Sequence, residues 1–374
     1  MITIMILPLR LIKASVVLLL VILISGCASI IGRQALDPPM LDLDVIPEQS
    51  WTDLNYHHDL ICPELSNART GCMAFMSAAA YDNQSRAQWA SVVKEWEEAG
   101  LPIATEAMEV KMRTWPQAEK TAQDRTRRIA MEYRVELETV RGLDEVNLLL
   151  DGDVPAKKGT YILMHGFRTN KKSLFFIAES IRFSGFDVVL VDLYGHGDSQ
   201  GEFSFSGKPD AELISNLIDN LDNPGPVHLA GMSMGGTTGV HVARKNDQVQ
   251  SLLLLAPMLA FEDAFVDAGR AYSRAAHWVT QGALKRGANY ALNEAGTPKE
   301  DTAVVQHVAE LDIPVLIMGS KNDAVSPFAK LRQLEAGKVE FHAVQPRSHH
   351  AMILWSTDDY GTWRFWLERI QKGS

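Results

Sequence analysis

Ser233, Asp323 and the adjacent His349 and His350 are the residues whose types and order could do nucleophilic chemistry in this chain. Ser233 stands in Gly231-Met232-Ser233-Met234-Gly235, a G-x-S-x-G pattern. A serine hydroxyl is a weak nucleophile at neutral pH. It needs a base to take its proton and a carboxylate to orient that base. One common chain order for this set is serine, then Asp or Glu, then histidine. Asp323 and the histidine pair follow Ser233 in that order. We assign His350, four residues past Pro346, as the base, with His349 as the alternative. A carbonyl attacked by the serine becomes a tetrahedral oxyanion, which N–H donors must stabilise. The Met234 N–H supplies one donor. The Phe167 N–H, in His165-Gly166-Phe167, supplies the second.

These residues work only if the backbone holds them, and the flanking sequence says how. Pro226 to Ala230 reads as a short buried strand entering the elbow, and Gly236 to Lys245 as the helix leaving it. Thr160 to Met164 is an apolar strand ending at His165. Ile313 to Gly319 is another, with Asp323 just past its end, and Val339 to Val344 precedes the histidine loop. Phe186 to Val191 leads into Asp192-Leu193-Tyr194-Gly195-His196-Gly197-Asp198-Ser199, and Ser251 to Ala256 is too apolar to be half exposed. Ala211 to Leu221 is a helix with Leu213, Leu217 and Leu221 on one face. Apolar strands alternating with helices require a mostly parallel sheet covered on both faces. Tyr133 to Val140 reads as the alternating strand that opens this domain, with Glu145 to Leu150 as its partner.

The chain resembles the α/β-hydrolase superfamily, and within it is similar to the monoacylglycerol lipase and serine aminopeptidase-like group. His165-Gly166-Phe167, the Asp192 to Ser199 segment, the Ser233 elbow, and Asp323 with the paired histidines carry the resemblance, over roughly residues 132–370. It implies an α/β-hydrolase fold, a domain over 132–374, and a helical lid over about 259–311. There Phe261, Phe265, Tyr272, Trp278 and Tyr290 suit a moderately apolar acyl or aryl group. The Asp192 to Ser199 signature reads as structural. Met232 departs from the group, where many relatives carry histidine. The implied activity is hydrolysis of carboxyl esters on a small molecule or lipid through an acyl-enzyme. An aminopeptidase or amidase with the same triad would need an anchor for a substrate amine, for which Glu262 and Asp263 are the candidates. An idle hydrolase fold serving as an envelope scaffold is the alternative outside enzymology. Dehalogenase and epoxide hydrolase chemistry is disfavoured, since those relatives place aspartate at the elbow.

No cofactor or metal is implied. Gly195-x-Gly197 lacks the third glycine of a dinucleotide loop, Gln200 standing there. His57-His58-Asp59 has no partner pair at ligand spacing.

The amino terminus reads as an export signal. Arg10 and Lys13 precede an apolar run, Ala14 to Ile24, and Ile24-Ser25-Gly26-Cys27 closes it with small residues before a cysteine. This resembles a bacterial lipoprotein signal, with residues 1–26 removed and Cys27 lipidated. An uncleaved anchor helix is the other reading. Ala28 in place of aspartate favours the outer membrane, facing the periplasm. In an exported chain, Cys62 and Cys72 are expected to pair as a disulfide. Residues 27–50, with Pro38, Pro39 and Pro47, read as a tether. Residues 51–131 read as a mostly helical extension, with Trp89, Val92, Val93 and Trp96 at helical spacing and Ala118 to Glu132 as a charged helix. No role is assigned to that extension, for which packing over the sheet, shaping the entrance and docking a protein partner all stay open.

The 374 residues are 46% apolar, ample for one large core, and carry a net charge of −10. Losing Arg10 and Lys13 with the leader lowers this to −12. Such an acidic chain argues against nucleic acid and against adhesion to anionic lipid by charge. Membrane attachment is expected through the lipid anchor.

Overall fold

The computed structural model describes residues 28–33, 35–36, 40–43, 46–63, 71–98, 108–111 and 154–372. In chain order the strands are β1 Met40–Leu43, β2 His57–Ile61, β3 Met73–Ala78, β4 Met108–Lys111, β5 Gly159–Met164, β6 Phe186–Val191, β7 Val227–Met232, β8 Val249–Leu255, β9 Val315–Gly319 and β10 Val339–Ala343. The helices are α1 Glu48–Asp53, α2 Asn83–Glu98, α3 Phe175–Phe183, α4 Lys208–Asp219, α5 Met234–Lys245, α6 Phe261–Tyr272, α7 Gln281–Glu294, α8 Phe328–Arg332 and α9 Thr357–Lys372.

Among the described residues eight strands form one sheet in the order β10-β9-β8-β7-β5-β6-β3-β2, while β1 and β4 pair separately. From β10 to β6 all pairings are parallel; β3 joins β6, and β2 joins β3, antiparallel. The parallel strands are apolar on both faces because helices cover both. Along β5, Tyr161 and Leu163 enter one core, with α3 and the tryptophans of α9. Ile162 and Met164 enter the other, with α4 and α5. Successive side chains of a strand point to opposite faces, so one apolar run serves both layers. The strand order reverses at β5, with β6 on one side and β7 on the other. The loops leaving β5 and β7 therefore open side by side at the carboxyl edge, the usual place for a site in an open parallel sheet.

The amino-terminal part corrects two expectations. Residues 51–98 are not mostly helical: β2 and β3 belong to the main sheet, so among the described residues its first strand begins at His57, ahead of the expected domain start at residue 132. Tyr133 to Val140, Glu145 to Leu150 and the charged stretch Ala118 to Glu132 lie outside the described residues. Burial explains the recruitment, since Met73 and Met76 are completely buried and Trp89 and Val92 of α2 nearly so. A buried polar cluster fastens this part to α3. Tyr56 Oη donates to Glu179 Oε1 at 2.9 Å, Arg182 Nη1 donates to the same oxygen at 3.0 Å, and Tyr81 Oη bonds Glu179 Oε2. The Arg182 guanidinium also lies 4.0 Å from the Tyr81 ring centroid. Cys62 and Cys72 are joined by a disulfide just beyond the Ile61–Met73 pair, closing the end of the β2–β3 hairpin. His57 and Asp59 alternate with His58 along β2, so neighbours diverge as adjacent strand residues must.

The second correction concerns residues 27–50. Cys27 and the leader lie outside the described residues, but part of the expected tether is packed. Residues 28–33 are helical, Gly32 is buried, and Ala35 and Ile46 are buried too.

Between β8 and β9 the chain leaves the sheet as α6, a 3-10 turn at Arg274–Trp278, α7, and two further 3-10 turns ending at Glu310. Phe261, Ala264, Phe265, Ala268 and Tyr272 recur at helical spacing and face the carboxyl edge of the sheet.

Candidate active site

Ser233 sits between β7 and α5 with φ of 51° and ψ of −114°. A non-glycine residue at positive φ is strained, so the surroundings must hold it. Three backbone hydrogen bonds do: Ser233 N–H donates to Leu255 O at 3.0 Å, while Ser233 O accepts from Gly236 N–H at 3.0 Å and Met258 N–H at 3.1 Å. The flanking glycines are demanded by close approach. A Cβ on Gly231 would lie 2.3 Å from Gly235 O, and one on Gly235 would lie 2.2 Å from Met164 O. Gly235 thereby presses the elbow onto the end of β5.

His349, not His350, completes the set. His349 Nδ1 lies 2.8 Å from Asp323 Oδ2, and His349 Nε2 lies 3.0 Å from Ser233 Oγ. With the carboxylate ionised, Nδ1–H donates to it, which leaves the Nε2 lone pair to accept the serine proton. Asp323 Oδ1 accepts from Val325 N–H at 2.7 Å and Ser326 N–H at 2.8 Å. Burial opposes ionisation of this carboxyl. The His349 ring and the two backbone N–H groups outweigh burial and hold its pKa below the ordinary value.

The register of the histidine loop is set by a residue the sequence did not single out. Arg347 is buried, and its Nη2 reaches Asp359 Oδ2 of α9 at 2.6 Å. Its N–H donates to Ser320 Oγ at 2.9 Å, and Ser320 Oγ–H donates back to Arg347 O at 2.7 Å. Those bonds lock the histidine loop to the end of β9, and from that fixed point the second residue on, His349, meets Asp323. His350 begins the next 3-10 turn and lines the cavity wall without reaching Ser233 or Asp323, its ring 5.2 Å from that of Tyr272. Its Nε2 is buried without a hydrogen-bond partner among the described residues, and burial pushes its pKa down to about 3. No signal in the two adjacent histidines distinguished them; the buried Arg347–Asp359 pair, twelve residues apart, does.

The two residues expected to supply oxyanion donors, Met234 and Phe167, both line the cavity over Ser233. Met234 is the first residue of α5, where an N–H has no carbonyl one turn back to bond. Phe167 follows β5 and lines the same cavity. Its loop is braced by two neutral histidines. His196 Nε2 accepts the Arg168 N–H at 3.1 Å, while Nδ1 faces Tyr194 O at 3.0 Å. His165 Nε2 accepts the Leu193 N–H at 3.0 Å, and Nδ1 faces Gly166 O at 2.7 Å. Burial lowers their pKa values to about 3 and about 4, so each stays neutral and keeps one nitrogen as an acceptor. Asp192 adds a second brace, accepting from Lys171 N–H at 2.7 Å and Asp198 N–H at 2.8 Å. The Asp192 to Ser199 segment thus shapes the loop that carries Phe167, as its structural reading anticipated.

A cavity of about 150 Å³ lies over Ser233, walled chiefly by Met232, Met258, Phe261, Phe265, Tyr272 and Ile353. Glu262 and Asp263 are not in its wall; Asp263 Oδ1 is held by Lys285 Nζ at 2.8 Å and Oδ2 by Lys330 Nζ at 3.6 Å. An amine anchor at that pair finds no support in this geometry. Among the described residues no helix is long and apolar enough to cross a membrane.

A model of the Alpha/beta hydrolase family matches residues 161–370. The chain belongs to this family. The match takes in every element around Ser233, from β5 to α9. This hydrolase is also 32% identical to protein phosphatase methylesterase 1 of Mus musculus over 139 residues, covering 36% of this chain and 35% of that one. It is 34% identical to lipase LipV of Mycobacterium tuberculosis over 80 residues, 21% of this chain and 30% of that one. The chain thus spans about a third of the length of these relatives. Among solved structures, a thermophilic esterase from Thermogutta terrifontis aligns at 18% identity with a TM-score of 0.44, over 57% of this chain and 91% of that one.

Proposed function

We propose that this hydrolase cleaves carboxyl esters through a serine acyl-enzyme, with Ser233 as nucleophile, His349 as base and Asp323 as its orienting carboxylate. The observation that carries the reading is the unbroken set of contacts Ser233 Oγ–His349 Nε2 and His349 Nδ1–Asp323 Oδ2 beneath an apolar cavity. Ser233 Oγ attacks the ester carbonyl as its proton passes to His349 Nε2. The carbonyl oxygen, now an oxyanion, is met by the Met234 and Phe167 N–H groups. Asp323 stabilises the imidazolium, His349 returns the proton to the departing alcohol, and water attacks the acyl-enzyme by the same route. The largely apolar wall suits an acyl chain or an aryl group, and the esterase and lipase names of the relatives point the same way. Membership of the monoacylglycerol lipase-like group and anchorage in the envelope through a lipid on Cys27 belong to this proposal. The acidic chain leaves nucleic acid out of it.

The test is labelling of the full chain with a fluorophosphonate, beside Ser233→Ala, followed by an ester chain-length series. Labelling confined to the wild type and turnover of apolar acyl esters are the expected outcome. A folded wild type that neither labels nor turns over any ester would return the protein to the scaffold reading.

A further inference from the structure

The negative charge of the chain conceals a local reversal on the outer side of the cavity's roof. Between Asp267 and Glu294 the sequence carries Arg270, Arg274, Lys285 and Arg286 and no acid. Lys285 is engaged by Asp263, whereas Arg270, Arg274 and Arg286 are exposed and make no ion pair among the described residues. Trp278, in the turn joining α6 to α7, is 91% exposed, the most exposed large apolar side chain among the described residues. A tryptophan so placed gains nothing from the fold.

The residues that follow Cys27 sit on this same roof. A Cβ on Gly287 of α7 would lie 2.4 Å from Ile31 Cγ2, and one on Gly32 would lie 2.5 Å from Gly287 O, so the two backbones touch. Ile31 and Val279 pack on the small core formed by Val266, Ala276 and Leu284. Ile30, 67% exposed, and Arg33, also exposed, flank that contact. Around one small core, then, lie Trp278 and Ile30 as exposed apolar groups and Arg33, Arg270, Arg274 and Arg286 as exposed cations. Cys27, the residue proposed to carry the lipid anchor, precedes Ile31 by only four residues.

We propose that this face is seated on an anionic lipid bilayer. Tryptophan favours the boundary between headgroups and acyl chains, and arginines beside it pair with anionic headgroups. The other side of α6 lines the cavity, through Phe265, Ala268 and Tyr272. Seating therefore places the cavity's roof, rather than a remote surface, at the lipid boundary. The inference does not need Ser233 to act on esters, but it does draw on the proposal that the amino terminus anchors the chain.

The experiment uses the full chain reconstituted in phosphatidylcholine vesicles with and without phosphatidylglycerol, each containing brominated lipid. Wild type is compared with Trp278→Phe and with Arg270→Glu/Arg274→Glu. The expected result is that bromine removes the emission that distinguishes wild type from W278F, and more fully in anionic vesicles. High salt and the double charge reversal should each restore it, because screening and repulsion weaken the same contact. Emission from Trp278 that is quenched by aqueous acrylamide but not by bromine in either vesicle overturns the proposal, as does equal quenching in neutral and anionic vesicles at all salt concentrations. Fluorophosphonate labelling in the same samples separates the two readings: labelling with an undocked Trp278 refutes this inference alone, and a docked Trp278 without labelling or ester turnover refutes only the function proposed above.

Discussion

The floor and the roof of the cavity are built on different physics. The floor is the carboxyl edge of the sheet, where polar contacts fix each group to within hydrogen-bond length. Ser233 is held by three backbone bonds, Asp323 by two N–H groups and a ring, and His349 through the Arg347 lock. The roof is α6, which meets the cavity through apolar side chains and leans on the small core of Val266, Ala276 and Leu284. A floor made of directional bonds tolerates almost no displacement of its reacting atoms. A roof made of apolar contacts can change shape at modest cost, because such contacts have no preferred direction. The floor should therefore govern the rate for every substrate, and the roof should govern which substrate is preferred.

The largest expected effect separates two neighbours. His349→Ala should lower turnover of every ester by about a thousandfold or more, as loss of the base does in such sites. His350→Gln should cost at most about tenfold, the scale of one hydrogen bond to substrate. Steady-state kinetics on short and long acyl esters measure both. Comparable losses in the two variants would mean that the Asp323–His349–Ser233 contacts do not carry the chemistry.

A smaller effect is expected one step behind the reacting atoms. His196→Ala removes the acceptor of the Arg168 N–H and frees the loop that presents Phe167. Outright loss of an oxyanion donor costs about 10²–10³ in kcat, and a displaced donor should cost about 10–100-fold. The fall should appear in kcat with KM little changed, and melting curves should be recorded beside it. A rise in KM alone would show that the loop shapes binding rather than the transition state.

The roof should respond differently. Phe265→Ala and Tyr272→Ala widen the cavity above Ser233, so the preferred acyl group should become longer or bulkier. Differences of a methylene or so in an apolar pocket are worth about 1–3 kcal/mol, so the ratio of long-chain to short-chain kcat/KM should shift by about tenfold. Uniform loss across the series would erase the distinction between floor and roof.

The same division explains what could be read in the sequence. Ser233 and Asp323 were legible because each follows directly from a local pattern, a strand ending in a motif. His349 was legible only as one of a pair, since the choice depends on bonds from Arg347 to Ser320 and Asp359 that no local pattern displays. The strands from β5 to β10 were readable from their apolar runs. The first strands of the sheet were not. Among the described residues β2 and β3 hold that end of the sheet, where Met73 and Met76 are wholly buried, and β2 itself reads as a polar stretch because its residues are mostly exposed. Edge strands carry little apolar signal, and their pairing is decided by tertiary contact.

The smallest effect concerns stability, and it again sets His350 against its neighbour. Burial lowers the pKa of His350 to about 3, against an ordinary value of 6.5. Above about pH 6.5 the ring is neutral in folded and unfolded chains, and the difference contributes nothing. As the pH falls below that, the unfolded chain takes up a proton that the folded chain refuses, so stability is lost progressively towards pH 3. His165 and His196 act in the same sense, and so does Asp323, whose lowered pKa removes stability as it protonates. Each histidine adds at most about 1.4 kcal/mol per pH unit within its window. The melting temperature should therefore fall between pH 6.5 and pH 4, and His350→Gln, which has no proton to take up, should fall less steeply. Parallel curves for wild type and H350Q would mean that water reaches the His350 ring beneath Tyr272, and that the roof is open where the structure closes it.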